Sequence, residues 1–323
     1  MISSITNSGG RSSSFGMLSL LVVVLCSSCA TILAAFDECK PILEIEISIP
    51  GECPYNNVVD GECLTAVEVT NRAYQAIFVD HDPEAIRKYV AQDYIQHNPN
   101  VPNGVEPILG LAANVEEAGV IFDTYRIFGD GDTAVTHNVV DNAFPFGAEK
   151  FVVFDVFRTA NGQVVEHWDN IQPFPEPNPS NRTVIDGPVM IKYLGETEKS
   201  LQVVTDFVDT VFVNGNVAAA PQFISNETYY QHNPTIADGL DTFMTLFQGL
   251  FDAGGSIEYD VKFVFAEGNY VLIMAEGYFG VPKNETDAYF DLFRVEGGLI
   301  VEHWDVIEHI PPLDDFLNGN GKW

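Results

Sequence analysis

The chain has 323 residues, of which 46 are acidic and 15 are basic, so its formal net charge is −31. Nucleic acid and anionic membrane surfaces would repel such a chain, and we exclude both as partners. Hydrophobic residues make up 46% of the sequence and aromatic residues 12%, which is enough apolar material for two ordinary domain cores.

Residues 1–35 have the order of segments that is typical of a secretory signal peptide. Arg11 is their only charged residue, and an apolar run follows at Met17–Cys26, with small residues after it. This run is shorter than the ~20 apolar residues that span a bilayer, which counts against a membrane anchor. We therefore predict a secreted, extracellular protein that is cleaved near Ala30 or before Phe36 and is not attached to a membrane afterwards.

Three cysteines, Cys39, Cys53 and Cys63, fall in a turn-rich N-terminal extension at residues 36–65. An exported chain can form disulfides, so we expect two of the three to pair and one to be left over. Which two pair is left open. Their spacing matches no zinc pattern, and a catalytic thiol is not indicated.

Three Asn-X-Ser/Thr sequences, at Asn181, Asn226 and Asn284, provide acceptor sites for N-glycosylation. Each lies in a segment that we predict to be a loop. Because ~2 such sequences would occur by chance, they permit a glycoprotein without proving one.

The sequence repeats itself. Val165–Ile171 reads Val-Glu-His-Trp-Asp-Asn-Ile and returns, with one substitution, at Val301–Ile307. The motif Tyr-X-Gln-His-Asn-Pro begins at Tyr94 and returns at Tyr229. Two motifs that recur in the same order and at nearly the same distance along the sequence indicate an internal duplication. The resulting boundaries are residues 66–177 for the first domain, 178–200 for the linker, 201–315 for the second domain and 316–323 for a C-terminal tail.

Each predicted domain begins with helices. Apolar residues recur at helical spacing in Val69–Ile77 and in Leu201–Phe212. A short second helix is expected in the first domain after Asp82, because an aspartate cap and a first-turn proline begin it. In the second domain Pro221 should break or kink the corresponding helix.

A third helix is expected to begin near Gly104 and near Gly239, and the apolar pattern then changes from the helical period to strict alternation. Ile257–Phe265 alternates apolar and charged residues, which is typical of a half-buried strand. Helices followed by an antiparallel sheet predict an α+β domain with the helices on one face. Further strands are predicted at residues 133–140, 150–158 and 164–171 in the first domain and at 270–278, 288–295 and 299–307 in the second.

The last strand indicates where a pocket lies. Side chains alternate across a strand, so His167 and Asp169 share one face, as do His303 and Asp305. A histidine and an aspartate among apolar neighbours are costly unless paired, so we expect them to hydrogen-bond each other or to line a cavity. Such a pair suits general acid–base chemistry. The alternative is that it only holds the end of the strand in place.

The second motif adds another histidine to each domain. His97 and His232 each stand between a glutamine and an Asn-Pro sequence, and the proline holds the asparagine extended. If this loop covers the helix-facing side of the sheet, His97 would face His167 and Asp169 across one pocket. Two histidines and one aspartate could hold a metal. No two histidines stand at ligand spacing on one element, however, so we expect none.

These motifs resemble those of the SnoaL-like proteins of the nuclear transport factor 2-like superfamily. The subgroup they are most similar to is described as predicted aldol-condensation-catalysing enzymes. The resemblance rests on Tyr-Ile-Gln-His-Asn-Pro, on Asp-X-Phe-Arg and on Val-Glu-His-Trp-Asp, and it covers nearly all of both repeats. It implies two tandem cone-shaped α+β barrels, each a curved antiparallel sheet wrapped around about three helices, with a deep apolar pocket.

The same resemblance implies acid–base chemistry by aspartate and histidine without a cofactor, as in polyketide cyclases, ketosteroid isomerases and dehydratases. Other proteins with this fold only bind ligands or partners. Carried over to this sequence, the catalytic candidates are His97, His167, Asp169, His232, His303 and Asp305, and the substrate-binding candidates are Tyr94, Gln96, His137, Tyr229 and Gln231.

The sequence also departs from the family pattern. The subgroup often has His-X-His on the middle strand. This chain has His137-Asn138-Val139 there in the first repeat, which lacks the second histidine, and Met274-Ala275-Glu276 in the second, which has neither. In the cyclases the base can also lie a few residues beyond the tryptophan, nearer to Gln172 and Glu308. The identity of the base therefore stays open.

The leading hypothesis is a secreted, cofactor-independent enzyme that acts on a small apolar molecule with a carbonyl group, by aldol cyclisation, isomerisation or dehydration. The alternatives are a non-catalytic module that binds a small lipophilic ligand and a purely structural tandem. We also expect the two domains to pack as an intramolecular pseudo-dimer, in the manner of the sheet-to-sheet homodimers of this superfamily.

Overall fold

A computed structural model describes residues 53–280 and 286–323 of the chain. The predicted signal peptide, Cys39 and the possible glycosylation site Asn284 lie outside the described residues. None of the helices in the described part of the chain is both long and apolar enough to cross a membrane.

A disulfide between Cys53 and Cys63 closes a small hairpin ahead of the first domain. In it, strand β1 (Val58–Val59) pairs antiparallel with β2 (Glu62–Cys63). Asn57 ties the hairpin to the first domain, because it donates to the Thr159 hydroxyl and accepts the amide hydrogen of Gly162 in the turn that follows. The disulfide therefore closes the hairpin, and the hydrogen bonds of Asn57 hold it against the sheet.

The helices of the first domain begin where the sequence provides caps. The Thr65 hydroxyl accepts the Glu68 amide hydrogen and the Glu68 carboxylate accepts that of Thr65, which is a capping box. Asp82 caps the second helix, and the third begins after Gly104 as expected. These helices are α1 (Ala66–Tyr74), which a π-helical turn extends over Gln75–Val79, α2 (Pro83–Tyr89) and α3 (Val105–Ala118).

A five-stranded sheet completes the first domain in the order β3-β7-β6-β5-β4. Its strand β3 pairs parallel to β7, and the other neighbours are antiparallel. The expectation of a purely antiparallel sheet is therefore wrong at this edge, because the Tyr94 motif, which we expected in a loop, forms β3. The strands are β3 (Val90–Gln96), β4 (Ile121–Asp130), β5 (Thr133–Asp141), β6 (Lys150–Ala160) and β7 (Gln163–Pro173).

The second domain repeats this topology in the order β8-β12-β11-β10-β9, with β8 parallel to β12. A 3-10 helix at Val217–Gln222 replaces α2, since Pro221 lies inside it. The predicted α+β fold class is thus confirmed for both domains. The remaining elements are α4 (Thr197–Phe207), extended by a π-helical turn at Val208–Val213, β8 (Tyr230–Gln231), α5 (Leu240–Asp252), β9 (Ser256–Glu267), β10 (Tyr270–Gly280), β11 (Asp287–Glu296) and β12 (Leu299–His309).

Each sheet has two buried faces. One face packs on the helices of its own domain, and the other packs on the opposite sheet. Asn170 donates to the backbone oxygens of Ala288 and Val306, both at 2.8 Å, and so joins the sheets by hydrogen bonds as well. The shared core between the sheets contains Phe128, Val135, Val152, Phe154, Val156, Trp168, Tyr270, Leu272, Met274, Phe290, Leu292, Trp304 and Val306.

The chain that follows each last strand crosses to the other domain. After β7, a linker segment (residues 178–188) lies on the second domain, where Asn178 donates to the Gln231 oxygen at 2.5 Å and His232 Nδ1 lies 2.7 Å from the Thr183 oxygen. These contacts hold the loop after β8 from outside its own domain.

The end of the chain makes the reciprocal contact. A tail segment (residues 317–323) lies on the first domain, where Asn320 donates to the Gln96 oxygen at 2.9 Å and His97 Nδ1 lies 2.9 Å from the Gly321 oxygen. The two domains therefore exchange equivalent segments.

We expect the contact between the sheets to make unfolding cooperative across both domains. Leu272 is 0% exposed in the shared core, and Leu272→Ala should lower the free energy of unfolding by about 3 kcal/mol through lost burial and a cavity. Chemical denaturation with domain-specific fluorescence probes measures this. Leu246→Ala, at a side chain that is 43% exposed, is the control and should cost less than about 1 kcal/mol. Two separate transitions in the wild-type chain would contradict the coupling.

Candidate active site

The first domain encloses a cavity of about 900 Å³ between its helices and its sheet. Most of its wall is apolar, and Phe78, Ile108 and Phe122 are examples. Large apolar pockets with a few convergent polar groups are the usual form of small-molecule sites. The polar side chains in the wall include Tyr94, Gln96, Asn98, Asp155, His167 and Asp169.

The alternation of β7 directs its residues to two different cores. His167 and Asp169 line the cavity, while Trp168, between them, packs in the shared core between the sheets. The sequence predicted this division. It did not predict the partner of the histidine. His167 Nε2 lies 2.8 Å from Oδ1 of Asp155, which belongs to the neighbouring strand β6.

Gln96 fixes the proton on the other nitrogen of His167. Gln96 Oε1 accepts the backbone amide hydrogens of His97 and Asn98, each at 2.9 Å, so this atom is the oxygen of the amide. His167 Nδ1 lies 2.9 Å from the same oxygen and must therefore donate to it. The Nε2 atom, on the other side of the ring, faces the carboxylate of Asp155.

Asp169 has a free carboxylate oxygen inside the protein. Its Oδ2 accepts a hydrogen bond from Asn98 Nδ2 at 2.7 Å, and its Oδ1 is buried without a partner. A buried carboxylate oxygen without a donor is costly. Since Asp169 lines the cavity, a ligand with a hydrogen atom to share is the natural partner of this oxygen.

Tyr94 provides a second polar group of the cavity. Its side chain is buried, and the ring lies 6.4 Å from that of His167 in a stacked arrangement. Burial, together with the nearby charges of Asp155 and Asp169, raises the pKa of Tyr94 well above its ordinary value. The phenol therefore stays protonated and can donate a hydrogen bond.

The second domain contains the same cluster. His303 Nε2 lies 2.9 Å from Asp291 Oδ1, and His303 Nδ1 lies 2.9 Å from Gln231 Oε1, which accepts two backbone amides as Gln96 does. Asp305 Oδ2 accepts from Asn233 at 2.7 Å, and Asp305 Oδ1 is buried without a partner.

The charges of this second cluster depend on one another. Burial raises the pKa of Asp305 to about 6, an effect that the charge of Asp291 strengthens and that of His303 opposes. Burial alone would lower the pKa of His303, but its hydrogen bond to Asp291 and the charges of Asp291 and Asp305 raise it above the ordinary value. Tyr229, beside them, has a raised pKa because it is buried near Asp305 and Asp291.

Each histidine-bound aspartate also accepts a tyrosine hydroxyl, but from different elements. Tyr74 of α1 donates to Asp155 Oδ2 at 2.8 Å, whereas Tyr259 of β9 donates to Asp291 Oδ2 at 2.5 Å. The two π-helical turns end in the same way at Asp80 and Asn214, and counting back from these ends places Val208 at the position of Tyr74. The hydroxyl is thus kept in both domains although its source differs.

The two interiors differ in the size of their side chains. Ile108 and Ala112 of α3 are matched by Phe243 and Phe247 of α5, at the same offset that separates Tyr94 from Tyr229. Both phenylalanine rings pack against Phe212, with centroids 6.3 and 5.6 Å from it. At these two positions the second domain therefore carries larger side chains than the first.

His97 and His232 do not face the cluster, and the expectation that His97 meets His167 and Asp169 across one pocket is wrong. His97 stacks on Trp168 with ring centroids 4.9 Å apart, and its Nε2 lies 3.1 Å from Glu166. His232 is placed in the same way on Trp304 and Glu302. Because β3 runs beside β7 as a strand, the residue after Gln96 points to the outward face, where it holds the exchanged segment.

His137 is also misplaced by the sequence-based prediction. Instead of binding substrate, it is 1% exposed and stacks on Phe154 between the sheets, with Nδ1 3.1 Å from Arg126. Burial and the charge of Arg126 lower the pKa of His137 well below its ordinary value. The next residue of β5, Asn138, is the one that reaches Asp155, so His137 points to the opposite face of the sheet.

Asp155 and Asp291 are the site residues that the sequence-based prediction missed. Both belong to the Asp-X-Phe-Arg motif, which recurs at the same offset as His167 and His303. The recurrence was visible, but without the strand pairing Asp155 could have been assigned to either face. The sequence signal that identifies it is the offset shared with His167.

Asp155, His167 and Asp169 present ligand atoms within 4.8 Å of one another, and Asp291, His303 and Asp305 do the same. These are the residues that could hold a metal ion. However, hydrogen bonds engage both nitrogens of His167, so an ion would have to displace its bond to Asp155. The arrangement therefore favours a proton network, and the expected lack of a metal stays a prediction.

Two of the possible glycosylation sites can be placed. Asn181 and Asn226 are exposed, Asn181 in the linker segment and Asn226 ahead of β8. Glycosylation itself stays a prediction.

Comparison with known families matches both domains separately. A model described as a SnoaL-like domain matches residues 71–167, and one described as a SnoaL-like polyketide cyclase matches residues 202–315. The chain therefore contains two SnoaL-like domains in tandem. No curated protein matches the sequence of the chain.

Solved structures of single domains are similar to about a third of the chain. TsrD from Streptomyces laurentii is 18% identical over 32% of this chain and 85% of its own, with a TM-score of 0.29. A candidate polyketide cyclase from Bacillus cereus is 17% identical over 36% and 79%, with a TM-score of 0.30. A protein of the nuclear transport factor 2-like fold from Mesorhizobium loti is 21% identical over 35% and 93%, with a TM-score of 0.30.

The raised pKa of Asp305 makes stability depend on pH with a defined sign. The carboxyl group of Asp305 has a pKa of about 6 in the folded chain against an ordinary 3.8, so it binds its proton more tightly in the folded chain than in the unfolded one. Its contribution to the free energy of unfolding is therefore fully present below about pH 4 and is lost as the pH rises through 6. Asp305→Asn should remove this loss, worth roughly 2–3 kcal/mol. Urea denaturation from pH 4 to 7 measures it. The exposed Asp314→Asn is the control, and parallel curves for wild type and Asp305→Asn would contradict the assignment.

Proposed function

We propose that the first domain is an acid–base enzyme of SnoaL type, and that it removes a proton next to a carbonyl group of a small apolar molecule. The observation that carries the proposal is the unpartnered, buried oxygen of Asp169 in the wall of an apolar cavity. A carboxylate oxygen without a hydrogen-bond donor, buried in an apolar wall, is a suitable general base.

The neighbours of Asp169 suit the rest of this step. The phenol of Tyr94 stays protonated and can donate to the oxygen on which the enolate charge develops. Asn98 holds the other oxygen of Asp169 and so orients the base. The paired His167 and Asp155 fix the floor of the cavity through bonds to β3 and α1. Enolate formation is common to aldol cyclisation, isomerisation and dehydration, which are the reaction classes that we propose.

The second domain supports the first in this proposal. Its cluster is equivalent, but Phe243 and Phe247 place larger side chains at the two matched positions. We further propose that the contact between the sheets takes the place of the homodimer contact of single-domain relatives. Secretion, predicted from residues 1–35, is part of the same proposal, because an exported enzyme would meet its apolar substrate outside the cell.

The second candidate function is a non-catalytic module that binds a small lipophilic ligand. The size of the cavity and its apolar wall favour this candidate as much as the enzyme. The unpartnered carboxylate favours the enzyme, because a site that only binds apolar molecules gains nothing from an unpaired buried charge.

Exchange of α-hydrogens of 2-tetralone for deuterium, followed by proton NMR in deuterated buffer, tests the base directly. We expect the wild-type chain to accelerate this exchange and Asp169→Asn to slow it by about 100-fold, the usual contribution of a general base. The matched variant Asp305→Asn should keep the rate within about twofold. Equal loss in both variants would contradict the assignment to the first domain, and no acceleration by the wild-type chain would contradict enolisation of this ketone.

A substitution of His167 separates the enzyme from the binding module. His167→Gln breaks the bond to Asp155, so an enzyme should lose exchange rate by at least about tenfold while 2-tetralone affinity, measured by calorimetry, changes less than about threefold. A module that only binds would show a change in affinity and no exchange in either form. His97→Gln, on the opposite face of the sheet, is the control for general loss of stability.

A further inference from the structure

The cavity of the first domain includes a residue of the second domain. Glu308, near the end of β12, lies in the cavity wall together with Asp169, and its side chain is 22% exposed. It enters the first domain because the last strands β7 and β12 lie against one another across the shared core. A site confined to one SnoaL-like domain would not contain this carboxyl group.

A lysine of the tail segment holds Glu308 in place. Lys322 Nζ donates to Glu308 Oε2 and to the backbone oxygen of Asp169, both at 2.6 Å. The side chain of Lys322 is 2% exposed, so its ammonium group depends on these two acceptors for the hydrogen bonds that water would otherwise provide. The ammonium group thus joins the carboxyl group of the second domain to the backbone of the proposed base.

This pair of charges has no charged equivalent at the matching place in the second domain. The residue that matches Glu308 is Gln172, whose Oε1 accepts the amide hydrogen of Ile307 at 3.1 Å. Gly321 and Thr183 occupy matching places in the exchanged segments, so the residue that matches Lys322 is Val184, which is buried in the shared core. The second domain holds its exchanged segment with neither a carboxyl group nor an amino group at these two positions, so the Lys322–Glu308 contact of the first domain calls for another reason.

We propose that Glu308 is a substrate-binding residue of the first domain's site, that Lys322 is its positioning residue, and that together they recognise a hydroxyl group on the carbonyl-containing substrate. This inference rests on the proposed function. A carboxylate in an apolar wall is a strong acceptor for a hydroxyl hydrogen. Burial raises the pKa of Glu308 above its ordinary value; the charge of Lys322 opposes this rise and that of Asp169 adds to it.

Paired probes test the recognition without any turnover. Fluorescence titrations of the full chain with 2-naphthol, which has a hydroxyl donor, and 2-methoxynaphthalene, which has none, give two dissociation constants. We expect the wild-type chain to prefer 2-naphthol by about tenfold, and Glu308→Gln and Lys322→Met to lose this preference. Lys322→Arg should restore most of it, because a guanidinium group keeps the positive charge.

Two controls show whether the recognition is specific to Glu308. Trp323→Phe removes the indole bond to Glu276 and loosens the tail segment without removing the ammonium group, and it should keep the preference. Asp169→Asn tests the competing acceptor, because the unpartnered Oδ1 of Asp169 lies in the same cavity wall. If Asp169→Asn loses the preference and Glu308→Gln keeps it, the hydroxyl lies on Asp169 and the inference is wrong. Equal affinity for the two probes in the wild-type chain would overturn it as well.

Failure of the proposed function is distinguishable from failure of this inference. A wild-type chain that prefers 2-naphthol through Glu308 but does not exchange the hydrogens of 2-tetralone would keep the binding site and lose the enzyme. Circular dichroism and thermal melting of each variant establish that it is folded. The double variant Glu308→Gln with Lys322→Met leaves no unpaired charge, so it provides a folded chain if either single variant does not.

Discussion

The contact between the two sheets is the constraint on which the rest of the structure depends. Because each sheet covers the other, the strands carry apolar or paired side chains on both faces. The same contact brings β12 beside β7 and allows Glu308 to reach the first domain's cavity. Separate domains on a flexible linker would lose both the shared core and the mixed composition of the site.

The last strand of each domain serves two purposes because its side chains alternate. Inward, His167 and Asp169 belong to the cavity; outward, Glu166 binds Arg158 and His97, and Trp168 packs under His97. The Val-Glu-His-Trp-Asp motif is therefore nearly identical in the two domains for two reasons: its inward side chains form the cavity, and its outward side chains hold the contact between the domains. Alternation in the sequence separates the two sets of side chains, and the pairing of the strands decides what each set contacts.

Much of the fold could be predicted from the sequence, and less of the site. Helix caps such as Thr65 and the alternation of Ile257–Phe265 act locally, so these elements appear where they were expected. The partner of His167 depends on the register between β6 and β7, and the position of His97 depends on β3 being a parallel strand. Such long-range pairings leave no periodic signal, which is why the aspartate was missed and the second histidine was misplaced.

The different sources of the tyrosine hydroxyl limit how the two halves can be recombined. Phe122 in β4 and Tyr259 in β9 occupy matching positions in their sheets. In the first domain the helix provides the hydroxyl through Tyr74 and the sheet position is Phe122, whereas in the second domain the helix position is Val208 and the sheet provides the hydroxyl through Tyr259. A chimera that places α4 and its π-helical turn on the first sheet would leave Asp155 without a phenol, and one that places α1 on the second sheet would crowd two phenols onto Asp291. Helix and sheet are therefore matched to each other within each half, and neither can be exchanged alone.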